Sequence, residues 1–329
     1  MERKRDISLD FLRITACILV FGVHLGRQVT IPGILGAFFE RGSVGVGFFF
    51  VLSGYLSNIS LEREFAGHRP GNAILTFWIK RALRILPLYY LVLVFYVIFC
   101  TMNNLVPNDP SGLYWIRYFF FLNLWVPSTV EFWFNLGGLW SISVFVFFYL
   151  IAPLYYFVIK NYVISWAGVI TSFVLFKVLD VRFPGYFPPK YLFYFFLGIH
   201  VYQVYKCGRD FMLLSVLTII LFFCILTGTG EALIPPIIAA LYLSATRHAL
   251  PKIKNGMISK MIILFSDLSY GIYLLHPAVL AVLQYLLTDR GWLFGGLLIG
   301  LTLVLSLVAH ALVEERVMNG YQQSKRKEL

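Results

Sequence analysis

Residues 9–26 read LDFLRITACILVFGVHLG, a run that is apolar except for Asp10, Arg13, Thr15 and His24. A helix needs about 20 mainly apolar residues to cross the hydrocarbon core of a bilayer, and fewer where its neighbours thin it. The stretch therefore reads as a first transmembrane helix. Within it, Ile14-Thr15-Ala16-Cys17 has the outline of a lipoprotein cleavage box. Arg13 breaks the apolar run that such a signal needs, so the helix is expected to stay on the protein.

Outward from this stretch the same pattern recurs at 43–60, 86–102, 138–159, 162–179, 191–205, 211–226, 231–246, 261–287 and 292–313. The composition agrees: 59% of the 329 residues are hydrophobic and 13% charged, with a mean hydropathy of +0.79. A soluble domain would carry about 25% charge. No polar block or Pro/Gly/Ser linker divides the chain, so residues 1–329 read as a single membrane domain. The fold class is all-α integral membrane, a bundle of about ten transmembrane helices. The segment 113–126 is short and aromatic and carries Arg117 in its middle, which points to a helix lying at the interface.

The net charge of +11 comes from 27 Lys and Arg against 16 Asp and Glu. Positive loops are retained on the cytoplasmic side during insertion. With 113–126 kept out of the count and the N-terminus inside, the basic clusters at 61–85 and 247–260 share the cytoplasmic face with both termini. If 113–126 crossed, those clusters would fall on opposite faces. No basic domain exists outside the apolar spans, which excludes nucleic acid as a partner. Cys17, Cys100, Cys207 and Cys224 lie in or beside apolar segments without paired spacing, so neither a disulfide framework nor a metal site is expected.

Ionisable residues inside a span are costly and mark candidate sites. Asp10 and Arg13 are three apart, on one helix face, and should pair. Arg13 and His24 are eleven apart, which returns to nearly the same face about 16 Å further along the axis. A helix-end ion pair would explain the first two as well as ligand contact does, and an imidazole bonded to a neighbouring helix would explain the third. In Val44-Gly45-Val46-Gly47-Phe48-Phe49-Phe50-Val51-Leu52-Ser53-Gly54-Tyr55-Leu56 the glycines suit close helix approach, and Ser53 places a hydroxyl at that contact. Arg81 and Arg84, just before Pro87, share a face and can clamp phosphate, although positive-inside anchoring accounts for them equally. Tyr270, Tyr273 and His276 fall at three-residue steps and put three polar heads on one side of a helix. Glu314 and Glu315 close the last span.

Taken together these pieces resemble the membrane-bound acyltransferase-3 family, bacterial enzymes that O-acylate cell-surface sugars. The likeness runs from Arg5 to about Arg316. It is carried by Ser8-Leu9-Asp10-Phe11-Leu12-Arg13, the Arg13-to-His24 spacing, Gly47-Phe48-Phe49-Phe50-Val51-Leu52-Ser53-Gly54-Tyr55, Arg81-x-x-Arg84 with Pro87, Leu139-Trp140-Ser141, and Ser269-Tyr270-Gly271-Ile272-Tyr273-Leu274-Leu275-His276-Pro277. The resemblance implies transfer of an acetyl group from cytoplasmic acetyl-CoA to a carbohydrate hydroxyl across the bacterial plasma membrane. It makes His24 the catalytic histidine and Arg13, Arg81 and Arg84 the donor-binding residues. Asp10, Ser53, Tyr270, Tyr273 and His276 would support them or face the acceptor. Capsule, O-antigen, exopolysaccharide and lipid-linked sugars are all compatible acceptors. Some relatives carry an extra extracytoplasmic esterase-like domain. None follows the last span here, so the membrane part is expected to act unaided.

One position departs from the family. Many relatives follow the Trp-Ser pair with Ser-Val-Glu-Glu, where this chain has Ser143-Val144-Phe145-Val146. Asp10, Asp267 and Glu131 then remain as carboxylates to orient His24. The chemistry needs a base or nucleophile, for which a neutral imidazole serves. A CoA nucleotide cannot enter hydrocarbon and would rest on the arginines while its uncharged arm extends upward. Two rival functions use the same residues: a transporter or flippase of lipid-linked sugars, and a non-catalytic scaffold for polysaccharide assembly. Against transport, the hydropathy shows no inverted repeat.

Overall fold

A computed structural model describes residues 6–105, 114–125, 139–183, 186–227, 234–249 and 256–327. Every regular element among them is helical. The ten apolar segments correspond to helices α1 (Ile7–Gly26), α3 (Val44–Gly67), α4 (Pro70–Met102), α6 (Trp140–Val158), α7 (Tyr162–Arg182), α8 (Leu192–Lys206), α9 (Asp210–Thr227), α10 (Ile234–Ala249), α11 (Met257–Leu286) and α12 (Trp292–Ala309). The described residues hold three further α-helices, α2 (Gly33–Glu40), α5 (Tyr114–Phe119) and α13 (Glu315–Lys327).

Among the described residues, seven helices are long and apolar enough to cross a membrane: α1, α3, α4, α6, α7, α11 and the run Trp292–Ser324 that begins with α12. The helices α8, α9 and α10 do not meet that measure among the described residues. At 1.5 Å per residue, the 15 residues of α8 rise about 22 Å, short of a hydrocarbon core of about 30 Å. Burial compensates. Nearly every residue from Leu192 to Val204 is enclosed by protein, α3 on one side and α7 on another.

Glycine makes the α3–α8 approach possible. A Cβ on Gly54 would stand 2.0 Å from the Phe195 carbonyl oxygen, and one on Gly198 would stand 1.9 Å from that of Val51. Without a hydrophobic driving force between helices in lipid, such close packing supplies the attraction.

Two boundaries differ from the sequence reading. The third span does not start at 86: α4 begins with Pro70 and runs unbroken through Pro87, so Lys80, Arg81 and Arg84 ride on a helix and not on a loop. The last span does not stop at 313, because a π-helical turn, His310–Glu314, carries it into α13. As the sequence reading expects of the segment 113–126, its described part, 114–125, holds a helix of only six residues, too short to cross. It is hung on α4 by Tyr89, whose hydroxyl donates to the Tyr118 carbonyl at 2.8 Å.

Candidate active site

The first helix is fixed to α11 by polar contacts. Asp10 is 2% exposed and accepts a hydrogen bond from Ser266 Oγ at 2.6 Å. The same oxygen lies 3.3 Å from Arg13 Nη1, the pairing expected for residues three apart. Cys17 Sγ, two turns on, donates to the Ser269 carbonyl at 3.6 Å. Asp10 is thus both a pin between two helices and the group that orients Arg13.

Arg13 lines a cleft with about 740 Å³ of empty volume, the space at its mouth included. Ser53, Arg81, Arg84, Tyr270 and Tyr273 line it too. Six of the nine residues picked from the sequence, drawn from α1, α3, α4 and α11, therefore share one space. Arg81 is flanked by aromatic faces, its guanidinium carbon 5.2 Å from the ring centres of both Phe77 and Tyr149. Such contacts hold a guanidinium in place and leave its N–H groups to bind elsewhere. Its Nε is buried with no hydrogen-bond partner among the described residues. Arg84 is exposed at the mouth. Ser53 is half-buried.

The tyrosines are tied down. Tyr270 donates to the Ile85 carbonyl at 2.7 Å, joining α11 to α4. Tyr273 shares a 2.6 Å hydrogen bond with Ser141 on α6. Phe145, at the position where many relatives carry an acid, also lines the cleft and packs edge-on to Phe50 at 4.9 Å.

His24 and His276 are absent from the cleft lining. They stand together, ring centres 5.0 Å apart, and the ring of Tyr273, which does line the cleft, lies 6.1 Å from that of His276. His24 is therefore not a lone imidazole but half of a pair, which adjoins Tyr273 of the cleft lining. Of the carboxylates considered for orienting it, Asp10 is occupied with Arg13, and Glu131 lies outside the described residues. No group of three or more potential metal ligands occurs among the described residues.

Sequence reasoning missed a buried pair on α7 and α8, and the half-buried histidine that partners Glu314. Ser165 Oγ sits 2.7 Å from His200 Nδ1 beneath the Trp166 ring. At the π turn, His310 Nδ1 meets Glu314 at 3.3 Å. Hydropathy registers neither, since a π turn has the same composition as the helix around it.

Fold and site define a multi-helix membrane protein with a cationic cleft inside its bundle. The family described as an acyltransferase domain matches residues 6–311, and the chain belongs to this acyltransferase-3 family. It is also similar to the peptidoglycan O-acetyltransferase OatA of Listeria monocytogenes serovar 1/2a, 29% identical over 176 residues. That match takes in 49% of this chain and 26% of the Listeria protein, so the chain spans about a quarter of that relative's length. No solved structure matches.

Proposed function

We propose that the protein moves an acetyl group from cytoplasmic acetyl-CoA to a hydroxyl of a surface or lipid-linked carbohydrate on the far side of a bacterial inner membrane. The observation that carries this reading is the convergence of Arg13, Arg81 and Arg84, from two separate helices, on the cleft that Tyr273 also lines. CoA brings several phosphate charges, which guanidinium groups bind through charge-assisted hydrogen bonds. Its pantetheine arm is uncharged and suits the aromatic walls of Phe49, Phe145 and Tyr149. Both termini would then be cytoplasmic, with the arginines on that side.

His24 acts in this scheme as the general base. It takes the acceptor hydroxyl proton while the oxygen attacks the thioester carbonyl. The new C–O bond forms, the C–S bond breaks, and the thiolate leaves with that proton. The Listeria relative is named for acetylation of peptidoglycan, which supports a glycan as the acceptor class here. Capsule, O-antigen and exopolysaccharide belong to the same class.

Mass spectrometry of surface glycans from cells with and without the protein tests the reading. An increment of one acetyl group that requires the protein, and that disappears with His24→Ala at unchanged protein level, is the expected result. Unmodified glycan that merely changes side of the membrane would make the protein a transporter. Full acetylation by His24→Ala would remove the base.

A further inference from the structure

The position where many relatives carry an acid is filled by Phe145, so the group that holds His24 in place has to come from elsewhere. Asp10 is committed to Arg13 at 3.3 Å and Ser266 at 2.6 Å. Asp267 stands nine residues before His276 on the same helix, about 14 Å away along its axis. The ring that does lie against His24 is that of His276, at 5.0 Å with planes inclined by 54°.

His276 is 1% exposed, and its protonation pattern can be read from its neighbours. Nδ1 lies 2.9 Å from the Ile272 carbonyl oxygen, one turn earlier on α11. A carbonyl only accepts, so Nδ1 carries the hydrogen. In the neutral ring, Nε2 is then left with a lone pair. That atom is buried and has no hydrogen-bond partner among the described residues. A buried acceptor without a donor costs stability, and folds seldom leave one unless a donor is supplied in the working state. His24 is the nearby group able to supply it. Neither of its nitrogens is hydrogen-bonded among the described residues, and at this ring spacing a turn about its side-chain torsions brings an N–H within reach.

We infer that His276 is the positioning residue for His24, its Nε2 accepting an N–H from the His24 ring. The inference rests on the proposed acyl transfer with His24 as base. The hydrogen bond leaves the other His24 nitrogen bare toward the acceptor hydroxyl. It also steadies the imidazolium formed when that nitrogen takes the hydroxyl proton. His276 gains no proton in the cycle: the thiolate leaves with the one held by His24, and both rings return to neutral. An imidazole suits this place, since a neutral acceptor orients the base without burying a carboxylate charge among Phe21, Phe49 and Tyr273.

The test uses inverted membrane vesicles from cells making the full chain, which retain the natural acceptor, with labelled acetyl-CoA as the probe. Acetyl transfer is measured against acetyl-CoA concentration. His276→Asn keeps an amide N–H able to reach the Ile272 carbonyl but puts nothing at Nε2. His276→Gln restores an acceptor oxygen near the Nε2 position. The expected result is a kcat lowered at least about tenfold in His276→Asn, an unchanged donor KM, and partial recovery of kcat in His276→Gln. A structural role alone would move thermal unfolding in detergent together with both kinetic constants. Wild-type kcat in His276→Asn, or a loss that His276→Gln does not recover, overturns the inference. His24→Ala, assayed alongside, separates the two claims. If it is inactive while His276→Asn is fully active, only the positioning role falls. If His24→Ala is itself fully active, the proposed base falls as well.

Discussion

Two helix seams in this bundle are built differently. Between α3 and α8, Gly54 and Gly198 bring backbone against backbone, and Phe50, Val51 and Phe195 fill what remains; the close contact is apolar, with polar pairing kept to one end of the seam, where Glu62 accepts from Tyr202 and Lys206. Between α1 and α11, the contacts are Asp10 with Ser266, Cys17 with the Ser269 carbonyl, and His24 with His276. Polar groups are expensive in a membrane interior, so a seam laced with them serves something besides cohesion. The first seam holds the bundle together; the second carries the residues on which the proposed chemistry depends.

Breaking the glycine seam should have the largest effect on folding. Gly198→Val forces a side chain into the space held by the Val51 carbonyl, and overpacking of that kind costs about 1–3 kcal/mol or more. The expected outcome is a sharp fall in folded protein and in Tm after detergent extraction, with near-normal acetyl transfer per folded molecule. Asp10→Asn cuts the polar seam at its ion pair while keeping an acceptor for Ser266. Loss of a charged hydrogen bond is worth about 1.5–3 kcal/mol, to be seen as at least a tenfold fall in transfer with only a small change in Tm. Arg81→Lys keeps the charge and removes the planar fork; the donor KM should rise about tenfold, near 1.4 kcal/mol, at unchanged kcat. The smallest effect belongs to Ser141→Ala, which takes away one hydrogen bond of Tyr273. It should cost about 0.5–1.5 kcal/mol in thermal unfolding. Should Gly198→Val lose activity while its fold survives, the division of labour between the seams would be wrong.

Much of this division was legible in the chain. The apolar runs located ten helices, three-residue spacing paired Asp10 with Arg13, and the glycines of 44–56 announced close contact. The start of α4 was hidden because Lys80, Arg81 and Arg84 break the apolar pattern and Pro87 reads as a boundary. In the bundle those cations cost little: Arg81 rests between aromatic rings, Lys80 pairs with Glu64 at 2.6 Å, and Arg84 reaches solvent. Proline in a membrane helix is tolerated where neighbours satisfy the freed backbone. The shortness of α8 was visible, but its enclosure was not, since burial by protein and burial by lipid leave the same hydropathy. The imidazole pair was beyond local reading altogether: no periodicity relates His24 to His276, and only the docking of α11 against α1 unites them.

The unbroken run of α4 has a mechanical meaning. Its 33 residues extend about 50 Å, well beyond the thickness of a hydrocarbon core. Arg81 and Arg84 are therefore mounted on a stiff mast and not on a tether that must be gathered up when a ligand arrives. An anion entering the cleft meets cations whose spacing is already set, so little conformational freedom is surrendered on capture. Shortening or softening that mast between Pro70 and Lys80 would loosen the grip without touching a single residue that makes it.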